Sequence, residues 1–143
     1  LNLSRISLIS RNKSSMDELI KNFENQIQIQ GFLNNDNQAQ NLIHEADLIV
    51  NTTPVGMKTT KQKNHILPYG EAFWRSLNSQ TIVYDLIYNP ATTPLLEFSA
   101  KKGCMTINGL EMLIAQGMKS VSFWTDGLEV PFHIMNDALK KYL

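Results

Sequence analysis

The chain has 143 residues, 43% hydrophobic and 18% charged, with 13 basic and 13 acidic side chains that cancel. That is enough for one domain with a sizeable core, and the zero net charge excludes a bulk electrostatic pull toward nucleic acid or an acidic membrane surface. No apolar run reaches the ~18 residues of a membrane-spanning helix. Cys104 is the single cysteine, so an internal disulfide and a CxxC pair are both excluded. The expected compartment is the cytoplasm.

The chain opens at Leu1 without an initiator Met and enters a strand-like run almost at once, which reads as a piece of a longer polypeptide. No secretory leader is expected, because the first ten residues carry Arg5 and alternate polar with apolar. Ile6 to Ile9 predicts a strand, and Ser10-Arg11-Asn12-Lys13 is its polar exit. Ser14 and Asp17 resemble a capping box that starts a helix through Leu19, Ile20, Phe23 and Ile27, and Gly31 ends that region. Gln38 to His44 is weakly helical. Asp47 to Asn51 is a short strand, left by a turn through Pro54 and Gly56. Lys58 to Asn64 reads as a mobile loop and Glu71 to Leu77 as a short helix.

Thr81 to Ile87 is β-branched and aromatic and predicts a third strand. Thr93 as N-cap and Pro94 at the first helical position open a helix whose buried side is Leu95, Leu96 and Phe98, stopped by Gly103. Cys104 to Ile107 is a fourth strand, with Cys104 in the core and Met105, Met112, Met118 and Met135 as packing residues. Asn108 caps a longer helix carrying Leu110, Leu113, Ile114, Val121 and Trp124. Pro131 opens the last helix, through Ile134, Met135, Ala138, Leu139 and Tyr142. The alternation of strands with helices predicts an α/β fold with a doubly wound parallel sheet.

Ligands of such sheets bind outside the carboxyl ends of the strands. The exits are Ser10 to Ser15, Asn51 to Met57, Asp85 to Asn89, and Asn108 to Gly109. At the first, Arg11 can pair bidentately with a phosphate and Lys13 adds a second charge, where an NAD-selective domain would carry an acid; the alternative is a solvated polar loop. At the second, Pro54 forces an extended residue before it and Gly56 allows close backbone approach, as any tight turn also would. At the third, the Tyr88 hydroxyl is placed to reach a bound carboxylate, or Tyr88 is a core tyrosine. The fourth opens a donor-rich helix N-terminus, with Gln116 about two turns past Gly109. His44, His65 and His133 lack ligand spacing, so no metal site is expected.

Taken together, these exits resemble shikimate dehydrogenases. The family's N-[AT]-T-P-x-G-M segment stands as Asn51-Thr52-Thr53-Pro54-Val55-Gly56-Met57. Its D-x-x-Y-x-P segment stands as Asp85-Leu86-Ile87-Tyr88-Asn89-Pro90, followed by Thr93-Pro94-Leu95-Leu96. Its G-x-x-M-L-x-x-Q segment stands as Gly109-Leu110-Glu111-Met112-Leu113-Ile114-Ala115-Gln116.

The resemblance implies a Rossmann-like cofactor domain over residues 1–143, NADP as cofactor, and reduction of 3-dehydroshikimate to shikimate. It implies that Ser10, Arg11, Asn12 and Lys13 hold the adenosine 2′-phosphate. Arg11 keeps the family's first basic position, whereas the second falls on Ser15. It assigns Thr52, Thr53, Pro54, Leu86 and Gly109 to the cofactor, and Tyr88 and Gln116 to the substrate. The family's catalytic Lys and Asp belong to an N-terminal substrate domain, expected to be absent here together with the first Rossmann strand and its glycine-rich loop. An isolated chain lacking that strand is expected to be poorly stable or to self-associate. A homodimer is left open, as are two other readings: a non-catalytic dinucleotide-binding fragment, and a quinate/shikimate dehydrogenase that uses NAD.

Overall fold

Five short parallel strands form two ladders in the computed structural model, which describes residues 5–58 and 67–141. The chain divides into two compact units, Leu1–Ala46 with Tyr69–Asn78, and Asp47–Pro68 with Ser79–Leu143.

In the first unit, β1 (Ile6–Ser10) pairs with β2 (Ile29–Leu33), in a register that runs from Ile6 opposite Ile29 to Ser10 opposite Leu33. Between them lies α1 (Lys13–Phe23). Its cap is Asn12, whose side chain accepts from the Ser15 amide at 3.2 Å, so Ser14 and Asp17 lie inside the helix and do not form its entry. Ile27 lies beyond the end of α1 and is exposed. Gly31 is a strand residue and ends no element. A Cβ there would lie 2.7 Å from Ile20 Cδ1 and 3.0 Å from Met16 Sδ, so glycine lets α1 seat against β2. Helix α2 (Asn37–Glu45) is capped by Asp36 and buries Ala39 and Ile43. The expected helix at Glu71 to Leu77 is a shorter 3-10 turn, Glu71–Trp74, that buries Phe73 and Trp74.

In the second unit, β4 (Ile82–Asp85) lies between β3 (Leu48–Asn51) and β5 (Met105–Asn108). Asn51, Asp85 and Asn108 share one register position at the carboxyl edge. Asn51, Val83 and Asp85 are buried. Helix α3 (Pro94–Lys101) begins at Thr93 as expected, and Gly103 follows it at φ 87°. Its buried side is Leu95, Leu96 and Ser99, while Phe98 is only half-buried. Helix α4 (Leu110–Trp124) has Gly109 at its N-cap, with the Asn108 side chain accepting from the Leu110 amide at 3.1 Å. Ile114 is its one fully buried residue, and Trp124 is exposed. Helix α5 is Phe132–Leu139. Cys104 is buried as expected, but Met105 is 64% exposed and does not pack. Most of the loop expected at Lys58 to Asn64, His65, and the Tyr142 end of the last helix lie outside the described residues.

Candidate active site

Two groups of strand exits are built, one in each unit. In the first unit, Ser10, Arg11, Asn12 and Lys13 join β1 to α1. The Ser10 hydroxyl accepts from the Asn12 amide at 3.1 Å and donates to the Asn12 carbonyl at 3.3 Å, which closes the turn tightly. Arg11 is exposed and has no carboxylate partner among the described residues. Lys13 pairs with Asp17, one helical turn on, at 2.5 Å. Helix entry leaves the first amides of α1 without intrahelical acceptors, and the Asn12 side chain takes only that of Ser15. Backbone donors and a free guanidinium at one helix N-terminus suit a phosphate.

Tyr69 supports the same turn. Its hydroxyl donates to the Ile9 carbonyl at 3.2 Å, one residue before Ser10, and its ring meets Phe73 edge-on at 5.1 Å. Burial pushes the Tyr69 phenol above its ordinary pKa, and the nearby Arg11 charge partly opposes this. Sequence reading missed Tyr69, because it lies 60 positions from Ile9 and belongs to no motif.

In the second unit, a cavity of about 390 Å³ is lined by Thr52, Thr53, Pro54, Met57, Lys58, Leu86, Ile87, Tyr88 and Asn89. The second and third exits thus meet, as their shared place at the sheet's carboxyl edge requires. Tyr88 is 38% exposed and lines this cavity, which excludes a fully buried core position. The Lys58 amide donates to the Asn89 carbonyl at 3.2 Å and ties the two walls, and the Asn89-Pro90 peptide is cis. Gly109 and Gln116 do not line the cavity. Gly109 instead lies against the Leu86 backbone, and Gln116 is exposed on α4.

Beside the cavity lies a polar network centred on the buried Asn51, Asp85 and Thr93. Asp85 Oδ1 accepts from Asn51 Nδ2 at 3.0 Å and from the Ile87 amide at 3.2 Å, while Oδ2 accepts from the Thr93 hydroxyl at 2.6 Å. Asn51 Oδ1 in turn accepts from the Thr53 amide and hydroxyl, at 3.1 and 2.8 Å. Burial raises the Asp85 carboxyl above its ordinary pKa, against the lowering effect of the Thr93, Ile87 and Asn51 hydrogen bonds. Among the described residues no cluster of His, Cys, Asp and Glu could hold a metal ion, and no helix is long and apolar enough to cross a membrane.

Each unit by itself offers groups that suit part of a nicotinamide dinucleotide: the first-unit turn has phosphate donors, and the second-unit cavity has apolar walls from Pro54, Leu86 and Ile87 with hydroxyls from Thr52, Thr53 and Tyr88.

Known proteins bear on these sites. Residues 109–140 match the family model for the shikimate 5'-dehydrogenase C-terminal domain. The chain is 81% identical over all 143 residues to shikimate dehydrogenase (NADP(+)) of Prochlorococcus marinus strain AS9601, covering 100% of this chain and 50% of that protein. It superposes on shikimate 5-dehydrogenase of Listeria monocytogenes, solved with shikimate and NAD, with a TM-score of 0.79 at 28% identity, over 94% of this chain and 47% of that one. Quinate dehydrogenase of Corynebacterium glutamicum, solved with NAD, shares the fold with a TM-score of 0.80 at 23% identity, over 98% of this chain and 47% of that one. The chain spans about half the length of the relatives it matches, 50% for the Prochlorococcus protein. The similarity is to the C-terminal part of shikimate dehydrogenases.

Proposed function

We propose that this chain is the cofactor-domain portion of a cytoplasmic, NADP-dependent shikimate dehydrogenase that reduces 3-dehydroshikimate to shikimate. The observation that carries the reading is the cavity where the Thr52 to Pro54 and Leu86 to Asn89 exits meet, with the Tyr88 hydroxyl on its wall.

Bound NADPH would supply a hydride to the substrate's carbonyl carbon. The chain's own contribution is to hold and orient. Ser10, Arg11, Asn12 and Lys13 take the 2′-phosphate, with the Arg11 guanidinium and the α1 amides as donors. Thr52, Thr53, Pro54 and Leu86 wall the nicotinamide and keep water from it. Gly109 supports Leu86 from behind by direct backbone contact. Tyr88 and Gln116 donate hydrogen bonds to the polar groups of the substrate. The resemblance assigns the proton for the new hydroxyl to a Lys and an Asp of an N-terminal substrate domain.

The test is an assay of the full-length protein for consumption of NADPH with 3-dehydroshikimate. Turnover that is faster with NADPH than with NADH supports the reading. Turnover only with quinate and NAD would replace the substrate and cofactor assignment. The engagement of Lys13 by Asp17 favours that outcome, because it removes one of the two cations at the turn.

A further inference from the structure

Asp85 lines no part of the cavity, yet both walls depend on it. It is 0% exposed at the end of the central strand β4. One carboxylate oxygen holds the β3 exit through Asn51 and the β4 exit through the Ile87 amide, and the other holds the Thr93 hydroxyl. Each partner passes the constraint outward. Asn51 Oδ1 fixes Thr53, and the Thr53 hydroxyl accepts from the Val55 amide at 3.4 Å. Thr93 Oγ1 accepts from the Leu96 amide at 3.3 Å and so caps α3. A Cβ on Gly56 would lie 3.3 Å from Pro94 Cδ and 3.4 Å from Thr93 Cβ, so the end of the Asn51 to Met57 segment rests on the same helix entry.

We propose that Asp85 is a positioning residue for hydride transfer: its carboxylate locks the β3 exit, the β4 exit and the start of α3 into one geometry, and thereby sets the spacing between the Thr52 to Pro54 wall and the Leu86 to Asn89 wall. This rests on the dehydrogenase reading of the cavity. A carboxylate suits the task for a chemical reason. All three partners present donors, and only an acceptor with two oxygens and several lone pairs satisfies them together. An amide at this position turns one of its two ends into a donor, so the Thr93 hydroxyl loses the acceptor it donates to and must turn away. Misplacement of a wall by about an ångström is enough to cost on the order of 100-fold in rate.

The experiment uses the full-length protein, with Asp85→Asn, Thr93→Val and Thr93→Ser. Kinetics are measured well below each variant's unfolding transition, together with amide chemical shifts of residues 51–57 and 86–89 in the unliganded protein. We expect Asp85→Asn to lower kcat by about 10- to 100-fold, to leave KM for NADPH within about 3-fold because the 2′-phosphate turn is untouched, and to shift the amides of Thr53, Val55 and Ile87. Thr93→Val removes one arm and leaves the carboxylate; it should lower kcat, and Thr93→Ser, which keeps the hydroxyl, should lose much less. The Thr93 pair decides the matter if Asp85→Asn does not fold. Wild-type kcat in Asp85→Asn, or equal loss in Thr93→Val and Thr93→Ser, would overturn the role. If the wild-type protein turns over no 3-dehydroshikimate, the functional reading fails by itself, and the amide shifts still decide whether Asp85 sets the cavity walls.

Discussion

Leu86 and Gly109 meet backbone to backbone: a Cβ built on Gly109 would lie 1.9 Å from the Leu86 carbonyl oxygen and 2.5 Å from its carbonyl carbon. Gly109 has φ −77°, an angle open to any residue, so its glycine is needed for proximity and not for conformation. The Gly109 amide also donates to the Ile87 carbonyl at 3.1 Å, which locks the entry of α4 onto the exit of β4. Gly109→Ala must therefore displace main chain on one wall of the cavity. It should destabilise the protein by about 2 kcal/mol or more, since main chain yields less readily than a side chain. Chemical denaturation of wild type and variant measures this, and a change below ~0.5 kcal/mol would show that the two segments separate easily.

Ser99 presents the opposite case, a residue the protein would be better without. It is fully buried on the Leu95 side of α3, and its hydroxyl has no hydrogen-bond partner among the described residues. An unpaired buried hydroxyl costs desolvation with no return, and alanine is the better helix former. Ser99→Ala should stabilise by about 1 kcal/mol. A lower unfolding midpoint in the variant would reveal that the hydroxyl is satisfied in the protein.

Much of this arrangement could be read from residue order. Thr93-Pro94 and Gly103 fixed the bounds of α3 because capping is local chemistry, and the three motif segments lie where strands end. The losses were of two kinds. Strand β2, Ile29–Leu33, was overlooked because Gly31 reads as a terminator, and its packing role depends on Met16 and Ile20 of another element. Nothing in the motif around Asp85 reveals its task, since its partners Asn51, Ile87 and Thr93 converge only when β3, β4 and α3 are assembled.

The raised pKa of Asp85 gives stability a definite pH dependence. Its ordinary value is 3.8, and burial lifts it in the folded state. Between those two values the folded protein holds more protons than the unfolded chain, so this residue's contribution to stability falls as pH rises. The contribution is greatest below the unfolded value and reaches its minimum above the raised one. The stability of wild type relative to Asp85→Asn, measured by denaturant titration at several pH values, should decline as pH rises through this window. A difference that grows with pH would mean that the three hydrogen bonds outweigh burial.

The turn from Ser10 to Lys13, proposed to hold the 2′-phosphate, bears on cofactor choice. Arg11 is the exposed cation there without a carboxylate partner among the described residues, whereas Lys13 is engaged by Asp17. In the full-length protein Arg11→Ala should raise KM for NADPH by about 10-fold or more, the worth of a charge-assisted pair, and change KM for NADH little. Steady-state kinetics with both cofactors measures the ratio. Equal effects on both would sink the 2′-phosphate role.

Tyr88 tests the substrate end of the same reading. Its side chain lines the cavity and is 38% exposed, so its hydroxyl is reachable by a ligand. Tyr88→Phe keeps the ring and its packing and removes only the hydroxyl, so stability should change little. If the hydroxyl bonds a charged or polar group of the substrate, kcat/KM for shikimate should fall by about 10-fold, one hydrogen bond's worth. KM for NADPH should hold if the 2′-phosphate is held by Ser10 to Lys13 as proposed. Unchanged kinetics with unchanged stability would leave the Tyr88 hydroxyl facing solvent and would move the substrate contact elsewhere on the cavity wall.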